Sequence, residues 1–255
     1  MQTIKTTKIG RVLEIGLDRP DKLNAFSWQM LEELSDAYTM LENDPELWVG
    51  ILYSTSDNFT SGLDLQDVTP HIMDGQPLFD SDKVDPTRIQ GKTLTKPMIV
   101  AVSGYCYTIG IELFLAADIC ISSPDTTFGQ IEVQRGIFPF GGATIRMVQR
   151  VGWGNAMRYL LTGETFGASK AKEIGLIQEI NDSPVGRAKI IAQNIAEQAP
   201  LGVQAILKNS RLSLTDEKAA KTGLLQEAIK LMATSDAHEG LNSFIERRKA
   251  NYTGK

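Results

Sequence analysis

Residues 96–122, KPMIVAVSGYCYTIGIELFLAADICIS, decide the fold. MIVAVSG, after Pro97, is an apolar run of strand length. GYCYTIG is a tight loop, IELFLAA opens a helix, and DICISS is a further strand. Strands alternating with helical segments in this way predict a largely parallel sheet with crossover helices. One residue resists burial. Glu112 is a carboxylate among apolar neighbours, and an interior charge is costly unless paired, hydrogen-bonded or put to use. By position it falls in the first helical turn. Unpaired N–H groups and a partial positive charge favour an acid there on electrostatic grounds alone. The same helix start suits the stabilisation of a negative oxygen.

Working outward, IKTTKIGRVLEIGLDRP reads as two strands around a turn near Gly10, with Val12, Leu13, Ile15 and Leu17 apolar. SWQMLEELSDAYTMLENDPE carries Met30, Leu31, Leu34, Tyr38 and Leu41 at helical spacing and stops at Asn43, Asp44 and Pro45. WVGILYS is a buried strand. Residues 64–95, with Pro70, Gly75, Pro77 and Pro86, are expected to be irregular and to shape a substrate. After Gly167 the pattern is mostly helical, with a break expected near Ser235 and Asp236.

The whole-chain numbers narrow the function classes. With 255 residues, 42% hydrophobic and 22% charged, the chain can bury a full core as one large domain or a domain with an appendage. The expected division is 1–198 for a core domain and 199–255 for a C-terminal helical region. A net charge of −5 disfavours nucleic-acid binding. Two cysteines, Cys106 and Cys120, sit in apolar surroundings and form no disulfide framework. His71 and His238 are too few and too far apart to suggest a zinc site. No apolar leader or membrane-length run is visible, so a cytoplasmic, reducing compartment is the expectation.

Four local patterns mislead. GKT at residues 91–93 lacks the glycine of a phosphate loop, because Pro86 stands in its place. In VGWGNAM, Met157 replaces the third glycine of a dinucleotide fingerprint. Asn58 and Asn251 head glycosylation triplets without a secretion signal. Ser61 and Ser103 precede glycines but belong to no nucleophile elbow.

Two further stretches join Glu112. TFGQIEVQRGIFPFGG holds Glu132, 20 residues further on and again among apolar neighbours. It is either a surface acid beside Arg135 or the second carboxyl of a pocket. Two carboxyls in one low-dielectric site can divide acid and base work. NFTSGLDLQDV follows the strand WVGILYS, and Ser61-Gly62 turns the chain so as to expose the N–H of Leu63. Asp64 is expected to cap the short helix beyond.

In this order LDRPDKLNAFS, FTSGLDL, the opening stretch, FGQIEVQRGIFPFGGATIRM and LLTGETFGASKAKEIGLIQEI resemble the crotonase family, also called the enoyl-CoA hydratase/isomerase superfamily, over nearly the whole chain. No single motif is decisive, but five in sequence are specific. The resemblance implies an α/β fold, a crotonase-like spiral of ββα units with a C-terminal helical trimerisation region, assembling as a homotrimer or dimer of trimers. It implies an enzyme of the hydro-lyase type that adds water to a 2-enoyl-CoA thioester, in fatty acid metabolism. Coenzyme A would be part of the substrate, with no separate cofactor, metal, nucleic acid or membrane partner. The resemblance further implies that the backbone N–H groups of Leu63 and Ile109 form an oxyanion hole. Glu112 and Glu132 would bracket a water, one activating it for attack at C3 and the other protonating C2. Lys22, Leu23, Ala25, Ser61, Gly62, Asp64 and Leu65 would bind the substrate and its CoA. Basic residues Arg19, Arg247, Arg248 and Lys249 are further candidates for the CoA anion. The alternatives on the same scaffold are isomerase, thioesterase or decarboxylase chemistry, or acyl-CoA binding with weak catalysis.

This chain departs from the family pattern at three places. Thr108 and Ile109 precede Gly110 in a loop that is usually glycine-rich, and a β-branched residue strongly resists positive φ. Ile131 stands where proline usually precedes the second glutamate. Arg135 is close enough in sequence to pair with Glu132, which would hold that carboxyl ionised.

Overall fold

The structure is a computed structural model and describes residues 2–255. Strands β1 (Ile4–Ile9) and β2 (Val12–Leu17) form an antiparallel hairpin that turns at Gly10, as the sequence predicts. Helix α1 (Trp28–Asn43) begins at Ser27, whose hydroxyl accepts the Met30 N–H at 3.2 Å. It then hands over to β3 (Val49–Ser54). Residues 64–95 are not wholly irregular: Leu65–Met73 form α2, with Pro70 inside it. The opening stretch resolves into β4 (Met98–Val102), β5 (Tyr105–Tyr107), α3 (Ile109–Ala116) and β6 (Ile119–Ser122).

Beyond these lie β7 (Thr127–Gly129), a 3-10 turn at Glu132–Arg135, α4 (Ala143–Val151), α5 (Trp153–Thr162), β8 (Phe166–Gly167) and α6 (Ala168–Glu173). The chain closes with β9 (Glu179–Ile180), α7 (Pro184–Ala196), α8 (Pro200–Ser213), α9 (Glu217–Met232) and α10 (Ser235–Glu246). The expected helix break falls slightly earlier, at Ala233-Thr234, where the Thr234 hydroxyl caps α10. Asp236 is instead buried, and its carboxylate accepts the N–H groups of Thr253 and Gly254.

The main sheet has the order β1-β2-β3-β4-β6-β9 and is parallel from β2 onward. Both of its faces are covered, which explains the near-continuous apolar runs of β2 to β4. Val49, Ile51, Ile99, Ala101 and Ile121 face α7, whose Ala188, Ala192 and Ala196 fall one turn apart and let the helix approach closely. Leu52, Met98, Val100, Val102 and Cys120 face the opposite way, onto Leu34, Leu41 and Phe114. Both cysteines are buried and free. No described helix is long and apolar enough to cross a membrane.

The second sheet, β5-β7-β8, positions the site. Thr60 pairs with Cys106 and Cys106 pairs with Phe128, all parallel. Three chain segments therefore leave this layer in register and at the same edge. Leu63 and Ile109 each lie three residues beyond the Thr60–Cys106 pair. Glu112 and Glu132 lie just beyond the Tyr107–Gly129 pair. Strand register offsets the two segments by 22 residues; Glu112 lies five residues past Tyr107 and Glu132 three past Gly129, which brings the spacing of the acids to 20.

Candidate active site

A cavity of about 190 Å³ opens at that edge. Its walls include Ser61, Leu63, Leu65, Thr108, Ile109, Glu112, Ile131, Glu132 and Phe140. The two candidate acids, the two candidate N–H donors, Ser61 and Leu65 therefore meet, as expected. Lys22, Leu23, Ala25, Gly62 and Asp64 do not line the cavity. They form the adjoining frame.

That frame is built on Asn24. Leu23 and Asn24 both adopt positive φ, at 50° and 52°. The buried Asn24 amide holds the loop: Oδ1 accepts the Arg19 N–H at 2.7 Å, and Nδ2 donates to Ser54 Oγ and Asn58 O at 2.8 Å each. Ser61 N–H donates to Leu23 O at 3.0 Å. Asp64 heads α2 but makes no side-chain cap. It takes Arg19 Nη1 at 2.9 Å, and the same Arg19 nitrogen also donates to Ala25 O at 2.6 Å. The neutralised Arg19 is a brace, and exposed Lys22 is the cation left at this rim. At the C-terminus Arg248 pairs with Glu239 and Glu246, and Lys249 with Glu197.

Leu63 is bridged in parallel to Phe26 through bonds at Gly62 O and Asp64 N, so its own N–H points the other way. Ile109 is the first residue of α3, where helical N–H groups have no partner in their own helix. The backbone strain expected at Ile109 falls one residue earlier. Thr108 carries φ 48° and ψ −114°, which leaves Ile109 with helical geometry and its N–H intact. Gly62, at φ 114°, lies against Thr108: a Cβ there would come within 2.4 Å of Thr108 Oγ1.

Glu112 is 3% exposed. Its Oε1 accepts the Ala143 N–H at 3.2 Å. Gly141 packs so tightly on the carboxyl that a Cβ there would come within 2.4 Å of Oε2. Burial pushes its pKa up to about 7. The Ala143 and Gly141 backbone and the Arg146 charge pull it down against that trend.

Glu132 is 7% exposed and is also pushed up to about 7, by burial first and then by the charge of Glu112. Its Oε2 finds no partner among the described residues. The anticipated Arg135 pairing does not form. Arg135 is exposed at the cavity's rim, where it lines the opening and its Nη1 donates to Gln134 O and not to the buried Glu132. Residues that the sequence reading did not single out complete the site: Phe140 in the wall, Gly141 and Ala143 behind Glu112, and Arg146, whose Nη2 donates to Arg88 O at 2.9 Å. The only prior signal was the glycine pair at 141–142 ahead of a helix.

An enoyl-CoA hydratase/isomerase family model matches residues 7–255. The chain belongs to that family. The crystal structure of a probable enoyl-CoA hydratase/isomerase from Mycobacterium abscessus superposes with a TM-score of 0.96 at 46% identity, covering 99% of each chain. Enoyl-CoA hydratase EchA19 of Mycobacterium tuberculosis is 32% identical, over 96% of this chain and 94% of its own. The 2,3-dehydroadipyl-CoA hydratase of Escherichia coli is 30% identical over the full length of both. The expected family, fold and kind of enzyme are borne out.

Proposed function

We propose that the protein is a hydro-lyase that adds water across the double bond of a 2-enoyl-CoA thioester. The observation that carries this reading is the pair of buried carboxyls in one cavity, both with pKa values moved to about 7. Hydration needs one group to take a proton from water and another to give one to the α-carbon. Groups that titrate near working pH do both.

The environments of the two acids support a division of roles. Glu112 accepts an N–H bond and feels Arg146, which favours its carboxylate, so it is the base that activates water for attack at C3. Glu132 has an unpartnered oxygen and feels the Glu112 charge, which favours its protonated form, so it delivers the proton to C2. The proton gained by Glu112 returns to Glu132 through solvent when product leaves. The Leu63 and Ile109 N–H groups receive the thioester oxygen as it gains charge, and donors of this kind are worth about 3–4 kcal/mol each. The Leu23–Ala25 loop and Lys22 hold the CoA, which enters as part of the substrate.

Residues 199–255 are the oligomerisation region in this reading. Leu224, Leu225, Ile229, Met232, Phe244 and Ile245 are exposed there, an apolar surface that suits a trimer.

The test is loss of enoyl-thioester absorbance with crotonyl-CoA for wild type, Glu112→Gln and Glu132→Gln. Wild type turns over, and each variant falls by roughly a hundredfold or more. An inert wild type, or an unaffected Glu132→Gln, overturns the proposal.

A further inference from the structure

Among the described residues, the charged side chains that line the catalytic cavity are the acids Glu112 and Glu132 and, at the opening, Arg135. Arg135 has no acid of its own. It is exposed, it pairs with no carboxylate among the described residues, and it donates only to Gln134 O, at 3.4 Å. Arginines elsewhere are matched: Arg19 by Asp64, Arg158 by Glu164, Arg187 by Glu179 and Arg248 by Glu239. The acids that flank Leu65 on the facing wall are also taken. Asp64 Oδ2 accepts Arg19 Nη1, and Asp67 Oδ2 accepts the Trp28 N–H at 2.6 Å.

The rest of that wall is apolar. Ile131, Ile137 and Phe140 share it with Arg135. A guanidinium with unused donors offers a planar fork that matches the two oxygens of a carboxylate. A pair formed against apolar side chains is partly shielded from water, so it is stronger than one between fully solvated groups.

The two walls keep the ends of a bound thioester apart. Ser61, Leu63 and Leu65 form the wall that continues, through the Ser61–Leu23 bond, into the candidate CoA loop and Lys22. Arg135 belongs to the opposite wall. Phe140 divides this cavity from a second one, of about 380 Å³, on its far side. At a water's share of about 30 Å³, the catalytic cavity of about 190 Å³ holds roughly six water-sized groups. A crotonyl thioester, counted as sulfur, carbonyl and three further carbons, fills it. The end of a longer acyl group therefore reaches the opening, on the side of Arg135. A negative terminus is repelled from the interior by the carboxylate of Glu112 and is attracted at the opening.

Building on the hydratase reading above, we propose that Arg135 selects 2-enoyl-CoA thioesters whose acyl chain ends in a carboxylate, by pairing its guanidinium with that terminus at the opening of the catalytic cavity. Arg135 touches neither the reacting carbons nor the two acids in this arrangement. It is a specificity residue. A chain of equal length that ends in a methyl group leaves the guanidinium in water and gains nothing from it, and that difference sets the preference.

The experiment measures binding of hexanoyl-CoA and adipyl-CoA by calorimetry for wild type, Arg135→Gln, Arg135→Lys and Arg135→Glu. The two ligands have equal carbon counts and differ in the terminal carboxylate. Arg135 is exposed, so the substitutions are expected to keep the fold. Arg135→Gln is expected to lower the adipyl-to-hexanoyl affinity ratio by roughly tenfold or more, as for loss of hydrogen bonds to a charged group. Arg135→Glu lowers it further, and Arg135→Lys keeps part of it, because the ammonium retains the charge without the fork. Raising the salt from about 0.05 M to about 0.5 M narrows the wild-type ratio. A ratio unchanged by Arg135→Gln overturns the proposal. An equal loss for both thioesters also overturns it, since Arg135 would then serve the phosphates of CoA. Because both ligands are saturated, these results stand whether or not the chain hydrates anything. A wild type inert on crotonyl-CoA that keeps the expected binding ratios would sink the hydratase reading alone.

Discussion

Gly62 and Thr108, the residues immediately before the two candidate oxyanion donors, pack against each other, and both hold positive φ. Their contact sets the distance between the Leu63 and Ile109 N–H groups. Gly62 adopts its φ of 114° without strain, whereas Thr108, β-branched at φ 48°, does not. Such strain costs on the order of 1–3 kcal/mol and persists where the surroundings impose it.

Gly62→Ala is expected to lose at least about tenfold in kcat/KM and about 1–3 kcal/mol of stability, since the new Cβ meets both the strained φ and the Thr108 hydroxyl. Thr108→Gly relieves the strain and offsets the extra chain entropy of glycine, so stability holds or rises by about 1 kcal/mol. Thermal unfolding of the two variants side by side checks both signs. A Thr108→Gly protein markedly less stable than wild type would show that Thr108 is unstrained.

Gly141 lies outside the positive-φ set, so Gly141→Ala tests sterics alone. Its Cβ would come within 2.4 Å of Glu112 Oε2 and push the carboxyl off the Ala143 N–H. The expected result is a loss of kcat of at least about tenfold with an unchanged circular dichroism spectrum. Full activity would mean that the position of this carboxyl does not matter.

The buried acids also make stability depend on pH. Each has a folded pKa of about 7 against an ordinary glutamate value of 4.5. The folded state therefore binds more protons than the unfolded state between these values, and stability falls as pH rises from about 4.5 to 7. The loss is at most about 3 kcal/mol per group. Denaturant titrations at pH 5 and pH 8 are expected to show it, and Glu112→Gln/Glu132→Gln to abolish it and exceed wild type in stability at pH 8. Activity is expected to be bell-shaped around neutrality.

Asn24→Ala leaves the Arg19 N–H and Asn58 O without their buried partner and places alanine at φ 52°. The expected cost is about 1–3 kcal/mol. Because Asn24 shapes the candidate CoA loop and not the acids, KM for the thioester is expected to rise more than kcat falls. Steady-state kinetics with crotonyl-CoA separate the two.

Much of this was readable in the chain itself. The strands facing α7 and α1 announce themselves as apolar runs because both faces are buried, and the three active segments are marked by acids or glycines in apolar company. The fate of each polar side chain was not readable. Asp64 and Arg135 have near partners in sequence, but the bridge to Phe26 turns Asp64 toward Arg19, and Arg135 at the cavity's rim bonds the Gln134 carbonyl and not Glu132. Likewise a rule against positive φ in β-branched residues could not say that Thr108, and not Ile109, would carry it. Phe140 had no signal of its own, since a wall between two cavities exists only after loops from residues 72–90 and 131–142 have come together.

Both donors proposed to stabilise the oxyanion are main-chain groups, and every residue except proline has one. The side chains at Ile109, Ile131 and Phe140 are therefore free of chemical duty while still shaping the space around the substrate. Such a layout separates what must stay fixed from what can drift. Descendants of this chain can explore new acyl groups by single substitutions at these three positions while the reaction itself is inherited intact.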